Sequence, residues 1–174
     1  MRKVVQIVSG GAALAALAMP ALAQNSATAT ASGTTTIIQP ITISKTADLG
    51  FGTIVKPTTG ASTISVSATG NTRTVTGGNA TFANGNGVSS ASFTVRGEGA
   101  QHFSIQVPAS FNMTAGTNTL VVTTNNPSGA TGLLSGSIGS TGSLVLGVGG
   151  SFPLATNTAS GAYSGSFQVT VAYN

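Results

Sequence analysis

His102, Asp48 and Glu98 are the only histidine and the only two carboxylates in the chain, and there is no cysteine. With a serine they would supply the parts of a Ser-His-Asp triad, which needs its nucleophile on a sharp turn within reach of the imidazole. No Gly-x-Ser-x-Gly elbow is present, and the nearest match, Gly161 to Gly165, reads Gly-Ala-Tyr-Ser-Gly with its serine misplaced. Glycoside hydrolysis would consume both Asp48 and Glu98 and leave no third acid to tune them. Zinc and calcium ask for clusters of His, Cys or carboxylate that this composition does not hold. Gly147 to Gly150 lacks the Gly-Lys-Ser/Thr that lets a glycine loop cradle phosphate. The residues therefore argue against an enzyme and call for no cofactor and no metal. Asp48 and Glu98 read as turn residues, before Leu49-Gly50 and between Gly97 and Gly99, and His102 as a solvated residue ahead of Phe103.

The elements that would position any site follow a cleavable leader. Met1-Arg2-Lys3 is basic, Val4 to Ala18 is apolar, and Ala21-Leu22-Ala23 is a small-residue cleavage site, so residues 1–23 read as a signal peptide cut after Ala23. The apolar run is short for a membrane span and is interrupted by Ser9-Gly10-Gly11, and no span is expected after cleavage. Without Arg2 and Lys3, the remaining Lys45, Lys56, Arg73 and Arg96 face Asp48 and Glu98. That balance is too slight for a nucleic-acid partner. Charged residues are 5% of the chain, and a coat of Ser, Thr, Asn and Gly does little to discourage association.

No helical period appears after the leader; short β-branched runs alternate with Gly, Asn, Pro and Ser, the mark of an all-β domain over residues 37–174. Thr34 to Ser44 is expected as a strand with Ile37, Ile41 and Ile43 on one face, and Leu49 to Val55 follows. The Asn71 to Thr76 and Ala80 to Ala83 runs look joined as a hairpin through Gly77-Gly78-Asn79. Ala91 to Arg96 and Phe103 to Val107, turned at Gly97 to Gln101, are expected as the central antiparallel ladder. Asn118 to Thr124 is a further strand, Asn125 to Gly142 a Ser/Gly-rich connection, and Leu144, Leu146 and Val148 start a penultimate strand ahead of Gly149-Gly150. This spacing predicts an immunoglobulin-like antiparallel β-sandwich.

The last stretch is the most regular. Gly161, Tyr163, Gly165, Phe167, Val169, Val171 and Tyr173 alternate with small or polar residues, so one face of a strand over Gly161 to Asn174 should be buried. Its penultimate Tyr173, and Gly161 at the fourteenth position from the end, resemble the closing strand of chaperone-usher pilus subunits. Four segments in order, "TADLGFG" (Thr46 to Gly52), "SFTVRGE" (Ser92 to Glu98), "LVLGVGG" (Leu144 to Gly150) and "GAYSGSFQVTVAYN" (Gly161 to Asn174), resemble the bacterial secreted domain of unknown function 4402. That family carries no established activity and is similar in layout to the major subunits of Mat/Ecp-type common fimbriae.

The resemblance implies an exported fimbrial or surface-fibre subunit of a Gram-negative bacterium, with a role in cell adhesion and biofilm, passing through the periplasm to the cell surface. It also implies a periplasmic chaperone, an outer-membrane usher, and copies of itself or other fimbrial subunits as partners. On that reading Gly161, Phe167, Val169, Val171 and Tyr173 border an assembly groove in a sandwich that lacks a strand. Residues 24–36 form a flexible extension in which Ala27, Ala29 and Ala31, continued by Ile37, make the donor strand. The alternative is a free-standing secreted adhesive or matrix domain, whose sandwich closes itself.

Overall fold

A computed structural model describes residues 26–174, apart from the side chains at 84 and 85; the leader and its cleavage residues Ala21 and Ala23 lie outside the described residues. The compact body spans Thr36–Asn174. It is all-β and antiparallel, as the alternating runs require: β1 (Thr42–Ala47), β2 (Gly50–Val55), β3 (Ser62–Val66), β4 (Arg73–Thr76), β5 (Thr81–Ser89) and β6 (Ala91–Glu98) come first. They are followed by β7 (His102–Gln106), β8 (Ser110–Ala115), β9 (Asn118–Asn125), β10 (Thr131–Leu133), β11 (Thr141–Leu154) and β12 (Thr170–Tyr173). Among the described residues no helix is long and apolar enough to cross a membrane.

The long strand β11 organises the sandwich. Its first half pairs with β6, which pairs with β1; its second half pairs with both β3 and β9, which carry β4 and β8 at the edges. Even-numbered positions point inward along its whole length. Leu146 and Val148 join Ala91 and Val95 of β6 and Phe103 and Ile105 of β7 in one core cluster, with Leu144 packed against it. Phe152 and Leu154 join Phe51 of β2, Ile64 and Val66 of β3 and Val122 of β9 in a second. The facing sheets are β10-β7-β12 over the first cluster and the β2-β5 ribbon over the second.

Gly149-Gly150 does not interrupt this strand, because the pair stands where β3 and β9 close on it. A β-carbon at Gly150 would lie 2.9 Å from Val122 Cγ1 and 3.1 Å from Leu49 Cδ2. Glycine keeps the inward face of β11 unbroken where the two clusters meet.

Four local expectations are corrected. Ala91–Glu98 and His102–Gln106 are not one ladder: β6 pairs with β1 and β11, β7 with β10 and β12, and the two meet face to face through the first cluster. The turn at Gly97 to Gln101 is a crossing between layers, completed by Ala100 at φ 57. Gly77-Gly78-Asn79 is likewise no hairpin, since β4 pairs with β3 and β5 with β2. Both glycines take left-handed φ, and Asn79 Oδ1 accepts the backbone N–H groups of Thr58 and Thr59, holding the crossing by side-chain capping. The first strand begins only at Thr42, after Pro40, and Ile37 stands 88% exposed, off the face shared by Ile41 and Ile43. The Asn125 to Gly142 connection contains β10 and the buried Leu134.

Candidate assembly site

The three groups with chemical potential are put to structural use or left in solvent. His102 opens β7 with an exposed side chain. Asp48 is also exposed, and its carboxylate takes Lys45 Nζ at 2.6 Å. Glu98 ends β6 and is only 2% exposed, so it is a buried strand end and not the turn residue expected. Among the described residues no group of three His, Cys, Asp or Glu is arranged to hold a metal. Replacing His102 by Ala is expected to change stability by no more than about 0.5 kcal/mol, measured by urea unfolding.

The C-terminal stretch keeps its alternation but only part of its ladder. Val169 is buried, Tyr163, Phe167, Val171 and Tyr173 are half-buried, and the residues between them are exposed. Regular strand is nevertheless limited to Thr170–Tyr173, which pairs with β7 from Gln106 to Phe103. Upstream, Ser164 exchanges two backbone hydrogen bonds with Thr114 of β8, at 2.8 and 3.1 Å. The stretch changes partner from β8 in one sheet to β7 in another, so Gly165 to Val169 must bridge layers and can ladder with neither. Gly161 lies exposed at the far end, its inward side against Ala115. Phe167 occupies the bridge, its ring 4.9 Å from Phe111 and 6.3 Å from Phe93 between centroids.

Tyr173, the last residue of β12, sits in a polar node that the sequence reading did not find. Its hydroxyl donates to Gln39 O at 2.8 Å and accepts the Glu98 N–H at 2.7 Å. Glu98 Oε2 accepts the Gln39 N–H at 3.1 Å, and Oε1 accepts the Gly139 N–H. Thr141 Oγ1 donates to Gln39 Oε1 at 2.9 Å. A β-carbon at Gly97 would collide with the Tyr173 hydroxyl, which explains the glycine beside Glu98. The node thus ties β6, the start of β11 and the final residues of β12 to the place where the N-terminal stretch leaves the body. The available signal was a carboxylate set between two glycines in a chain that has only two acids.

Two clefts flank the final stretch. One, of about 430 Å³, lies against Phe111, Phe167 and the β7–β8 link. The other, of about 580 Å³, opens into the second core cluster: Phe51 and Ile54 form one wall, Met113 and Leu120 the other, Phe152 and Leu154 the floor, and residues 158–163 the rim. The β2 wall is braced by Arg73, whose guanidinium donates to Phe51 O and Thr53 O and lies 3.6 Å from the Phe82 ring centroid. Desolvation lowers the pKa of Arg73 from its ordinary value, and it remains a cation at neutral pH. Residues 26–40 carry no strand and are exposed throughout, Ala27, Ala29, Ala31, Ile37 and Ile38 included.

The family model described as Domain of unknown function (DUF4402) matches residues 41–173, and the chain belongs to that family. The match begins after Pro40 and leaves the exposed N-terminal stretch outside it. No curated protein and no solved structure matches the chain.

Proposed function

We propose that this family member is an exported structural subunit of a fimbria or surface fibre, polymerising by addition of its N-terminal stretch to another subunit. The observation that carries the reading is the exposed, strandless run from Ser26 to Pro40, in which Ile37 stands almost fully uncovered. Fully burying Ile37 against a partner would contribute about 1.5–3 kcal/mol, and the residues of the run before Gln39 belong to no strand, so an added strand would give them ladder partners. The sparse charge of the chain fits a surface destined to be covered by neighbours. A periplasmic chaperone and an outer-membrane usher are the partners this role implies, and the protein works by cohesion rather than by catalysis.

Export is the first condition. The mature protein is expected to begin at Gln24 on N-terminal sequencing of exported material; a chain retaining Met1 in the membrane fraction would overturn it. Polymerisation is tested by size exclusion and electron microscopy of the mature protein across a concentration series. Fibres or a concentration-dependent ladder of oligomers is expected. A protein that stays monomeric when concentrated and unfolds cooperatively is instead a free-standing adhesive or matrix domain.

A further inference from the structure

Given that the chain polymerises through its N-terminal stretch, we infer that the cleft between β2 and the β8–β9 hairpin, not the smaller one beside Phe167, receives that stretch from a second copy. The floor of this cleft is the second core cluster itself, through Phe152 and Leu154, so an apolar guest would extend a core rather than sit on a surface. Between Thr158 and Tyr163 the rim is made of small residues, among them Ser160, Gly161 and Ala162, with Gly50 and Gly52 also lining the cleft. Small rims let one backbone approach another closely. Residues 155–163 belong to no strand, and one backbone hydrogen bond, from Thr158 N to Ala155 O, joins them to each other. Side chains take Ala155 N, Thr158 O and Ala159 O, so the peptide groups an extended guest would pair with are those of Ser160 to Ala162.

The guest fits chemically. Ala27, Ala29 and Ala31 alternate with Thr28, Thr30 and Ser32, a strand whose inward face is narrow and apolar. Ser26 to Ile38 contains no charged residue, and the one charge on the cleft wall, Lys56, is turned to Thr158 O at 3.4 Å. Insertion therefore strands no ion.

Reach decides between the same copy and a second one. The stretch leaves the body at Gln39, which Thr141 holds at the start of β11, while the cleft floor is Phe152 and Leu154 at its other end. Those 14 residues of strand run about 43 Å from first to last at 3.3 Å per step. Gln24 to Gln39 contains 16 residues and reaches about 50–54 Å when fully drawn out, so a chain returning along β11 would spend most of its length on arrival and lay only its last few residues in the cleft. A neighbour's stretch has no such limit. Donor and acceptor are different surfaces of each copy, so the contact is heterologous, the kind that grows an open filament wherever its rotation does not close a ring.

With no native cysteine, every disulfide formed joins introduced residues, and chains carrying one cysteine alone report any like-to-like link. In the full mature chain, Cys at Ala27, Ala29 or Ala31 is combined with either Ser160→Cys at this cleft or Ser166→Cys at the other, and the products are run on a non-reducing gel after mild oxidation. Both rim positions are exposed, so folding is not at stake. A ladder of linked multimers is expected from at least one Ser160 pair and from none of the Ser166 pairs. A ladder from the Ser166 pairs, or fibres without any Ser160 link, would overturn the choice of cleft and leave polymerisation standing. Linked monomers of increased mobility from the Ser160 pairs would overturn the second copy. No multimer by gel and no fibre by microscopy would overturn the polymerising role itself.

Discussion

Replacing Glu98 by Ala is expected to lower the stability of the domain by about 3 kcal/mol, read as a fall in the urea midpoint with an unchanged slope. The carboxylate is buried and accepts the backbone N–H groups of Gln39 and Gly139. Hydrogen bonds to a charged group contribute about 1.5–3 kcal/mol each, and both donors belong to exposed residues that water can partly serve once the acid is gone, which holds the loss to the lower half of the sum. Tyr173→Phe, which deletes the hydroxyl between Gln39 O and Glu98 N, should cost about 2 kcal/mol. Because both side chains grip Gln39, the double variant should lose less than the two singles added, and faster amide exchange at Gln39 should accompany each. An unchanged midpoint in Glu98→Ala would mean that the node does not hold the base of the N-terminal stretch.

What the sequence made legible was burial, and what it left hidden was pairing. Period two along Leu144, Leu146 and Val148 identified an inward face, and that face continues through Phe152 and Leu154 in one strand. Glycine read as a stop at 149–150 because composition does not reveal that two neighbouring strands arrive there. The same limit explains the ladder expected between Ala91–Arg96 and Phe103–Val107. Both runs were rightly placed in the core, yet whether two successive strands pair edge to edge or cross the sandwich depends on the link, where Ala100 takes a left-handed turn. Phe111, Met113 and Ala115 alternate with Asn112 and Thr114 as plainly as any run, and β8 was available to the same test.

The sequence reading described the C-terminal stretch as one strand, and regular strand is confined to Thr170–Tyr173. Tyr163, Phe167, Val169, Val171 and Tyr173 do face inward. The partner change at Gly165 to Val169 is a property of two sheets, β8's and β7's, and no periodicity within one segment encodes it. Nor did Glu98 announce itself as buried. A lone carboxylate in a glycine-rich turn resembles a solvated one until its two backbone donors, from residues distant in the chain, are in place.

Deleting Gln24 to Ser32 is expected to abolish chain growth completely while leaving a folded body. The compact body begins at Thr36 and the matched family domain at Ile41, so the deletion removes neither a core residue nor a strand, and the urea midpoint should stay within about 0.5 kcal/mol of the intact protein. Growth is another matter. If the stretch is the donor, each truncated subunit keeps an acceptor and has nothing to offer, so it should run as a monomer on size exclusion at every concentration. Added to intact protein it should cap filaments at one end and shorten them in proportion to its mole fraction. A synthetic peptide of residues 24–38 should bind the truncated subunit one to one and shift its unfolding to higher denaturant, since a ligand that binds only the folded state stabilises it by mass action. Three substitutions in that peptide, Ala27, Ala29 and Ala31 each to Asp, should remove the shift, because a charge on the inward face would be buried without a partner. Fibres formed by the truncated subunit at wild-type yield would show that the N-terminal stretch is not the joint.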